Sequence, residues 1–154
     1  MSALVELRGP LSPDLADQLT PLYHDSNGPS LSFLASLLSQ QGTFAWVMYR
    51  TQVPVAAAWF RVVLDEAELV DIRVSGHARR AGIGRRLLTE SLQCISGEGA
   101  NCCHLEVRRS NMPALALYQQ IGFEVIGERA NYYRVQDGVE DAILMRCQLE
   151  QSER

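Results

Sequence analysis

The apolar positions of the chain follow two rhythms. Leu15, Leu19 and Leu22 recur at helical spacing, as do Leu31, Phe33, Leu34, Leu37 and Leu38, and again Leu87, Leu88, Leu92 and Ile95. Each set predicts a helix with one buried face. The first opens at Ser12-Pro13-Asp14, with Ser12 as cap and Pro13 at the first helical position, and runs to about residue 24. The second covers 31–40 and stops at Gly42. The third runs to about residue 96, before Gly97-Glu98-Gly99. A fourth, over 112–121, has Pro113 in its first turn and Gly122 past its end.

Shorter apolar runs at 4–7, 43–49, 54–64, 68–75, 102–108, 123–128 and 142–149 predict strands. Pro10 follows the first. Residues 25–30 read as a loop, 49–52 as a hairpin turn, Asp65-Glu66 as the next turn, and Asp137-Gly138 as the centre of a polar loop. Strands at 68–75 and 102–108 flank a helix, so that β-α-β unit should be parallel, whereas the other pairs should be mostly antiparallel. The expected fold is α/β, a mixed sheet of about seven strands with flanking helices. No repeat, low-complexity tract or linker divides the chain, so residues 1–154 are expected to form one domain.

Composition narrows the field. Hydrophobic residues make up 47% of 154, enough for a sizeable core. A net charge of −4 argues against direct nucleic-acid binding. The cysteines are Cys94, Cys102, Cys103 and Cys147; no C-x-x-C occurs, so no metal site is expected, and free buried thiols in a reducing cytosol are. The first residues lack the basic and apolar regions of a signal peptide, and no apolar run is long enough to span a bilayer. A cytoplasmic protein, monomer or weak homodimer, with no membrane partner is the expectation.

The stretch that carries chemistry is Arg79-Arg80-Ala81-Gly82-Ile83-Gly84-Arg85, between a strand and a helix. N–H groups at a helix start lack intrahelical partners, and the dipole there is positive. Glycines let an anion approach the backbone, and Arg79, Arg80, Arg85 and Arg86 add charge. The pattern alone is equally compatible with a solvated charge cluster, and it matches neither the P-loop nor the Rossmann spacing.

Arg79-x-x-Gly82-x-Gly84 resembles the [QR]-x-x-G-x-[GA] signature of the GNAT superfamily of acyl-CoA-dependent N-acetyltransferases. The ordered set Leu105-Glu106-Val107-Arg108, Ser110-Asn111, Ala116-Leu117-Tyr118, Gly122-Phe123, Asn131-Tyr132-Tyr133 and Glu140-Asp141-Ala142 is similar to its ribosomal-protein-alanine N-acetyltransferase branch, the RimI type. The likeness runs from about residue 62 to 145 and is faint before that. It implies a GNAT-type sheet around a central β-α-β acetyl-CoA unit, acetyl-CoA as cosubstrate, and no metal.

The resemblance assigns cofactor contacts to Ile72, Arg73 and Val74 through main-chain groups, to Arg79, Arg80, Ala81, Gly82, Ile83, Gly84 and Arg85 at the pyrophosphate, and to Asn111 and Tyr118. Arg73 is expected to matter little as a side chain. Where the family often has Asp-Pro, this chain has Ser75-Gly76-His77, and His77 reads as a surface histidine or a phosphate contact. By pattern, Glu106 lies on one strand face with His104 and Arg108 and reads as an exposed or salt-bridged glutamate; the resemblance makes it the general base. Tyr118 reads by spacing as core; the resemblance makes it the general acid. Tyr132 and Tyr133 read either as surface residues or, by resemblance, as walls of the acceptor groove.

The implied activity is acetylation of a protein N-terminal α-amine. A small-molecule amine or lysine acetyltransferase is the alternative. It is kept open because the first helical region reads Tyr23-His24-Asp25-Ser26-Asn27-Gly28-Pro29-Ser30, without the Phe-Pro-Trp type segment of the branch. A non-catalytic CoA-sensing module is a third reading, disfavoured by the presence of Glu106 and Tyr118.

Overall fold

Caps decide where the first two helices begin. In the computed structural model, which describes residues 2–24, 28–76, 78–79, 82–135 and 138–150, the Ser12 hydroxyl accepts from Leu15 N at 3.3 Å and opens α1 (Pro13–Leu19). Ser30 accepts from Phe33 N at 3.1 Å and opens α2 (Leu31–Leu38). Each cap satisfies an orphan N–H and is worth about 1 kcal/mol. The helix expected to reach residue 24 instead ends at Leu19, and a 3₁₀ turn, Thr20–Tyr23, continues it. The physical reason is Pro21, whose ring has no N–H and clashes with the carbonyl four residues back.

The strands are β1 (Ser2–Leu7), β2 (Thr43–Arg50), β3 (Val53–Val63), β4 (Glu66–Val74), β5 (Cys102–Arg108), β6 (Glu124–Val135) and β7 (Gly138–Gln148), with α3 (Ile83–Gly97) and α4 (Met112–Ile121) between them. Among the described residues they form one seven-stranded sheet of order β1-β2-β3-β4-β5-β7-β6. β4 and β5 are parallel, joined through α3 as the β-α-β reading requires. The pairs β1–β2, β2–β3, β5–β7 and β6–β7 are antiparallel. Among the described residues no helix is long and apolar enough to cross a membrane.

Contacts group the chain into two compact units. The first comprises Met1–Val63 and Leu69–Ser91. Its core sets Leu19, Leu34, Leu37 and Leu38 of the helices against Ala45, Val47, Ala57 and Trp59 of β2 and β3. The opposite face of those strands is also covered: Trp46 packs edge-on against Phe60 with centroids 5.6 Å apart. Burial on both faces explains why β2 and β3 read as continuous apolar runs.

The second unit comprises Leu64–Glu68 and Leu92–Arg154. The start of β4 pairs with β5 over Glu66↔Cys102, Ala67↔Cys103 and Glu68↔His104. β5 pairs with β7 from Cys102↔Gln148 to Arg108↔Ala142. The last hairpin corrects the sequence reading. β6 does not stop near residue 128 but continues to Val135, and β7 starts at Gly138 rather than 142. Arg129, Ala130, Asn131 and Tyr132 are all exposed, so they lack the alternation that marks a strand, and register shifts after Val125 and Arg129 blur it further. Asp137 lies outside the described residues. The thiols also depart from expectation in part: Cys102, Cys103 and Cys147 are buried, but Cys94 is exposed on α3.

Gly42 is held by two demands at once. Its φ is +86°, and a Cβ there would stand 2.7 Å from the Val62 carbonyl oxygen, next to the Val62 N–H to Gly42 oxygen bond of 2.7 Å. Gly9 has φ +74° with nothing within 4 Å of a Cβ. Gly42→Ala should therefore cost about 2–3 kcal/mol, and Gly9→Ala only about 1 kcal/mol, the backbone cost alone. Urea unfolding midpoints of the two variants test this; equal losses would contradict it.

Candidate active site

In the first unit, β4 leads through Ser75 toward α3. Ser75 N donates to the Val55 carbonyl at 2.7 Å, and Ala78 N to the Ser75 carbonyl at 2.9 Å. Gly82 has φ +73°, with open space where a Cβ would stand. It needs glycine for its backbone conformation and leaves room for a ligand. Its carbonyl accepts the early helical bond from Arg86 N at 3.0 Å. The N–H groups of Ile83, Gly84 and Arg85 thus lie in the first helical turn, where such groups serve anions. Arg79 is exposed and its Nε reaches the Val74 carbonyl at 3.4 Å; Arg85 is exposed as well. Arg86 instead pairs with Glu90 at 3.0 Å on its own helix. Arg80, Ala81 and His77 lie outside the described residues.

Ile72, Arg73 and Val74 are half-buried at the end of β4. The side chain of Arg73 is not idle, as had been expected. Nη1 donates to the Leu22 carbonyl and Nη2 to the Pro29 carbonyl, each at 3.3 Å. Nε lies 3.6 Å from Asp71 Oδ2, and the guanidinium sits 4.8 Å from the centroid of the Tyr23 ring. Tyr23 in turn accepts from Trp59 Nε1 at 2.7 Å. Burial, aided by the Asp71 charge, pushes the Tyr23 phenol well above its ordinary range, so it stays neutral. Arg73 thus ties β4 to Leu22 and Pro29. Partners so far away in sequence leave no local signal.

The side chains to which the resemblance gives acid–base roles lie in the second unit. Glu106 projects from β5 opposite Leu144. Its Oε1 accepts from Arg129 Nη2 at 2.9 Å, with 31% of the side chain exposed. It lines an open pocket of about 220 Å³ with Glu68, His104, Leu105, Ile126, Leu144 and Met145. Tyr118 is buried on α4, its ring edge-on to Phe123 at 5.7 Å. Asn111 caps that helix, its Oδ1 accepting from Ala114 N at 3.3 Å. Tyr132 is 48% exposed; the side chain of Tyr133 lies outside the described residues.

Arg129 was not singled out from the sequence. Besides holding Glu106, its guanidinium stands 4.5 Å from the Tyr132 ring centroid. One cation therefore joins the carboxylate on β5 to an aromatic ring on β6. An arginine in a polar run carries no signature; only the hairpin register brings it there.

Glu140 anchors the turn before α4. Its Oε1 accepts from Ser110 Oγ at 2.6 Å and Ser110 N at 2.8 Å. The Ser110 hydroxyl first, then its N–H, hold the Glu140 carboxyl below the usual carboxylate range. A group depressed on folding stabilises the fold above its unfolded value, about 4.3, and loses that contribution as pH falls through the folded value. Ser110→Ala should move the Glu140 titration upward, toward the ordinary value, in side-chain carbonyl NMR. An unmoved midpoint would remove the hydroxyl as the main cause.

The Acetyltransferase (GNAT) family model matches residues 10–123. The [ribosomal protein bS18]-alanine N-acetyltransferase of Escherichia coli strain K12 is 46% identical over 90 residues, covering 58% of this chain. The matched part spans 61% of that relative's own length. The protein of the same name from Haemophilus ducreyi is 35% identical over 117 residues, 74% of this chain and 81% of the relative. The crystal structure of the ribosomal-protein-S18-alanine N-acetyltransferase from Escherichia coli superposes with a TM-score of 0.87 at 28% identity, covering 100% of this chain and 97% of that one. By its sequence and by its mixed, mostly antiparallel seven-stranded sheet, the chain belongs to the GNAT family of acetyltransferases.

Proposed function

We propose that the protein transfers the acetyl group of acetyl-CoA to the N-terminal α-amine of a protein. The observation that carries this reading is Glu106. It is a half-exposed carboxylate in an open pocket, on the strand position where the resemblance puts a base. Further support comes from relatives named ribosomal-protein-alanine N-acetyltransferases.

In the proposed reaction the first turn of α3 and Arg79 and Arg85 hold the pyrophosphate. Arg80 and Ala81 belong to the same motif. Main-chain groups of Ile72, Arg73 and Val74 hold the pantetheine arm, and a backbone N–H near Val74 receives the developing oxyanion. Asn111, while capping α4, also contacts the cofactor. The amine nitrogen attacks the thioester carbon, and a C–N bond forms as the carbonyl oxygen takes up charge. Glu106 accepts the proton from nitrogen. The C–S bond then breaks and the thiolate takes a proton from the Tyr118 hydroxyl. An ordinary phenol near 10 facing a thiol near 8.5 makes that last transfer uphill by roughly 2 kcal/mol. Tyr132 and Tyr133 wall the acceptor groove, with Arg129 keeping Tyr132 and Glu106 in register. No metal takes part in these steps.

The acceptor follows from acid–base arithmetic. At pH 7.5 an α-amine with pKa about 7.8 is roughly one third neutral, whereas a lysine near 10.4 is about 0.1% neutral. A carboxylate base suits the first. Alanine-initiated N-terminal peptides should turn over, as read by CoA release, and peptides whose only amine is a lysine side chain should not. Turnover confined to lysine peptides or spermidine would replace this acceptor.

The two proton handlers separate by pH. Glu106→Gln keeps shape and cannot accept a proton. Its kcat/KM should fall about 100-fold near neutrality and recover partly as pH nears the acceptor's own pKa. Tyr118→Phe should lose a similar factor with little recovery. Wild-type kcat/KM at pH 7 in Glu106→Gln would place the base elsewhere. The same result in Tyr118→Phe would leave that ring as core packing against Phe123.

A further inference from the structure

On the strand that carries Glu106, the parallel start of β4 and β5 brings together three unlike metal ligands. Cys102 and His104 are two apart on β5, so they share a face. Glu66 is the register partner of Cys102 on β4. Cys102 Sγ lies 3.5 Å from His104 Nε2 and 3.9 Å from Glu66 Oε1, and His104 Nε2 lies 3.5 Å from the same Oε1. Among the described residues this is a group of three donors converging on one point.

A tetrahedral zinc ion has bonds of about 2.3 Å to sulfur, about 2.0–2.1 Å to imidazole nitrogen and about 2.0–2.2 Å to carboxylate oxygen. Those lengths require donor–donor edges of about 3.3–3.6 Å around one face of the tetrahedron. Two observed edges match to about 0.2 Å, and the third is longer by about 0.4 Å. Glu66, with 63% of its side chain exposed, has the rotamer freedom to close that gap. Rigidity is graded the right way for a site. The Cys102 residue is 2% exposed and fixed in the sheet, the His104 side chain is 35% exposed, and the Glu66 side chain is the most exposed of the three.

We propose that Glu66, Cys102 and His104 bind a thiophilic divalent cation of the zinc class, with three protein ligands and one open position. The donor set of one sulfur, one imidazole and one carboxylate favours zinc-like ions over magnesium or calcium, which want oxygen throughout. Binding replaces the Cys102 S–H bond by a sulfur–metal bond and releases that proton to solvent. No pair of cysteines marks these ligands in the sequence. Here Cys102-x-His104 supplies two ligands from one strand, and the third comes from the neighbouring strand.

The test uses the full chain, freed of metal by chelation, kept reduced, and titrated with Co(II) alone. One equivalent should produce the visible bands of a tetrahedral centre and a near-ultraviolet sulfur-to-cobalt charge-transfer band, and Zn(II) should abolish both. Cys102→Ser should remove the charge-transfer band. His104→Gln, at a half-exposed position where folding is not at stake, should weaken Co(II) at least about tenfold. Cys94→Ser should leave the titration unchanged. The site is overturned if the wild-type protein shows no charge-transfer band. It is equally overturned if the band survives Cys102→Ser and vanishes in Cys94→Ser, or if His104→Gln binds Co(II) as tightly as wild type.

Discussion

A strand that buries one face cannot choose what it shows on the other. In β5 the core takes Cys103, Leu105 and Val107. Period-two alternation then sends Cys102, His104 and Glu106 to the opposite face, whatever their chemistry. The register is set by seven pairs with β7 and three with β4. A slip of one residue would bury Glu106 and expose Leu105 and Val107. The placement of the proposed base and of the proposed metal ligands is therefore one constraint, enforced by apolar burial and not by any attraction among the polar groups.

The last hairpin relies on a different mechanism. β6 and β7 are long, yet much of β6 is exposed and offers little core. Charges cluster along it instead. Arg109 pairs with Glu128 and, at 3.7 Å, with Asp141. Asp141 also accepts from Asn131 N at 3.0 Å, where the chain turns through φ +55°. Arg129 crosses to Glu106. Exposed ion pairs are worth about 0–1 kcal/mol each, so they do not account for the hairpin's stability. Their contribution is register: Glu128, Arg129 and Asn131 of β6 are each tied to a residue outside that strand, around the second place where the ladder slips.

This contrast explains what could be read from the sequence. α4 and β5 fall where pattern put them, from Met112 to Ile121 and Cys102 to Arg108. Their signals are local: an Asn111 cap, Gly122 at the end, alternation over a half-buried strand. The extended β6 was missed because Arg129-Ala130-Asn131-Tyr132, exposed throughout, shows no alternation. Arg73 was underrated because its partners at Leu22 and Pro29 are 51 and 44 residues away. Glu106 and Tyr118 are proposed through resemblance, since pattern alone made one a surface charge and the other a core ring. Arg129, with neither pattern nor motif, required coordinates.

The two units pose different demands on sequence, which accounts for the kind of signal each leaves. In the first, the proposed binding of an anion uses main-chain N–H groups at the start of α3. That demands backbone conformation, so the legible trace is a spacing, Arg79-x-x-Gly82-x-Gly84, around a residue held at φ +73°. In the second unit the proposed chemistry uses side-chain atoms, a carboxylate oxygen and a phenol. The trace there is a set of identities, Glu106, Asn111 and Tyr118, scattered at irregular intervals. A motif of spacing and a motif of identities occurring in order on one chain constrain it far more than either alone, because they answer to independent physical requirements.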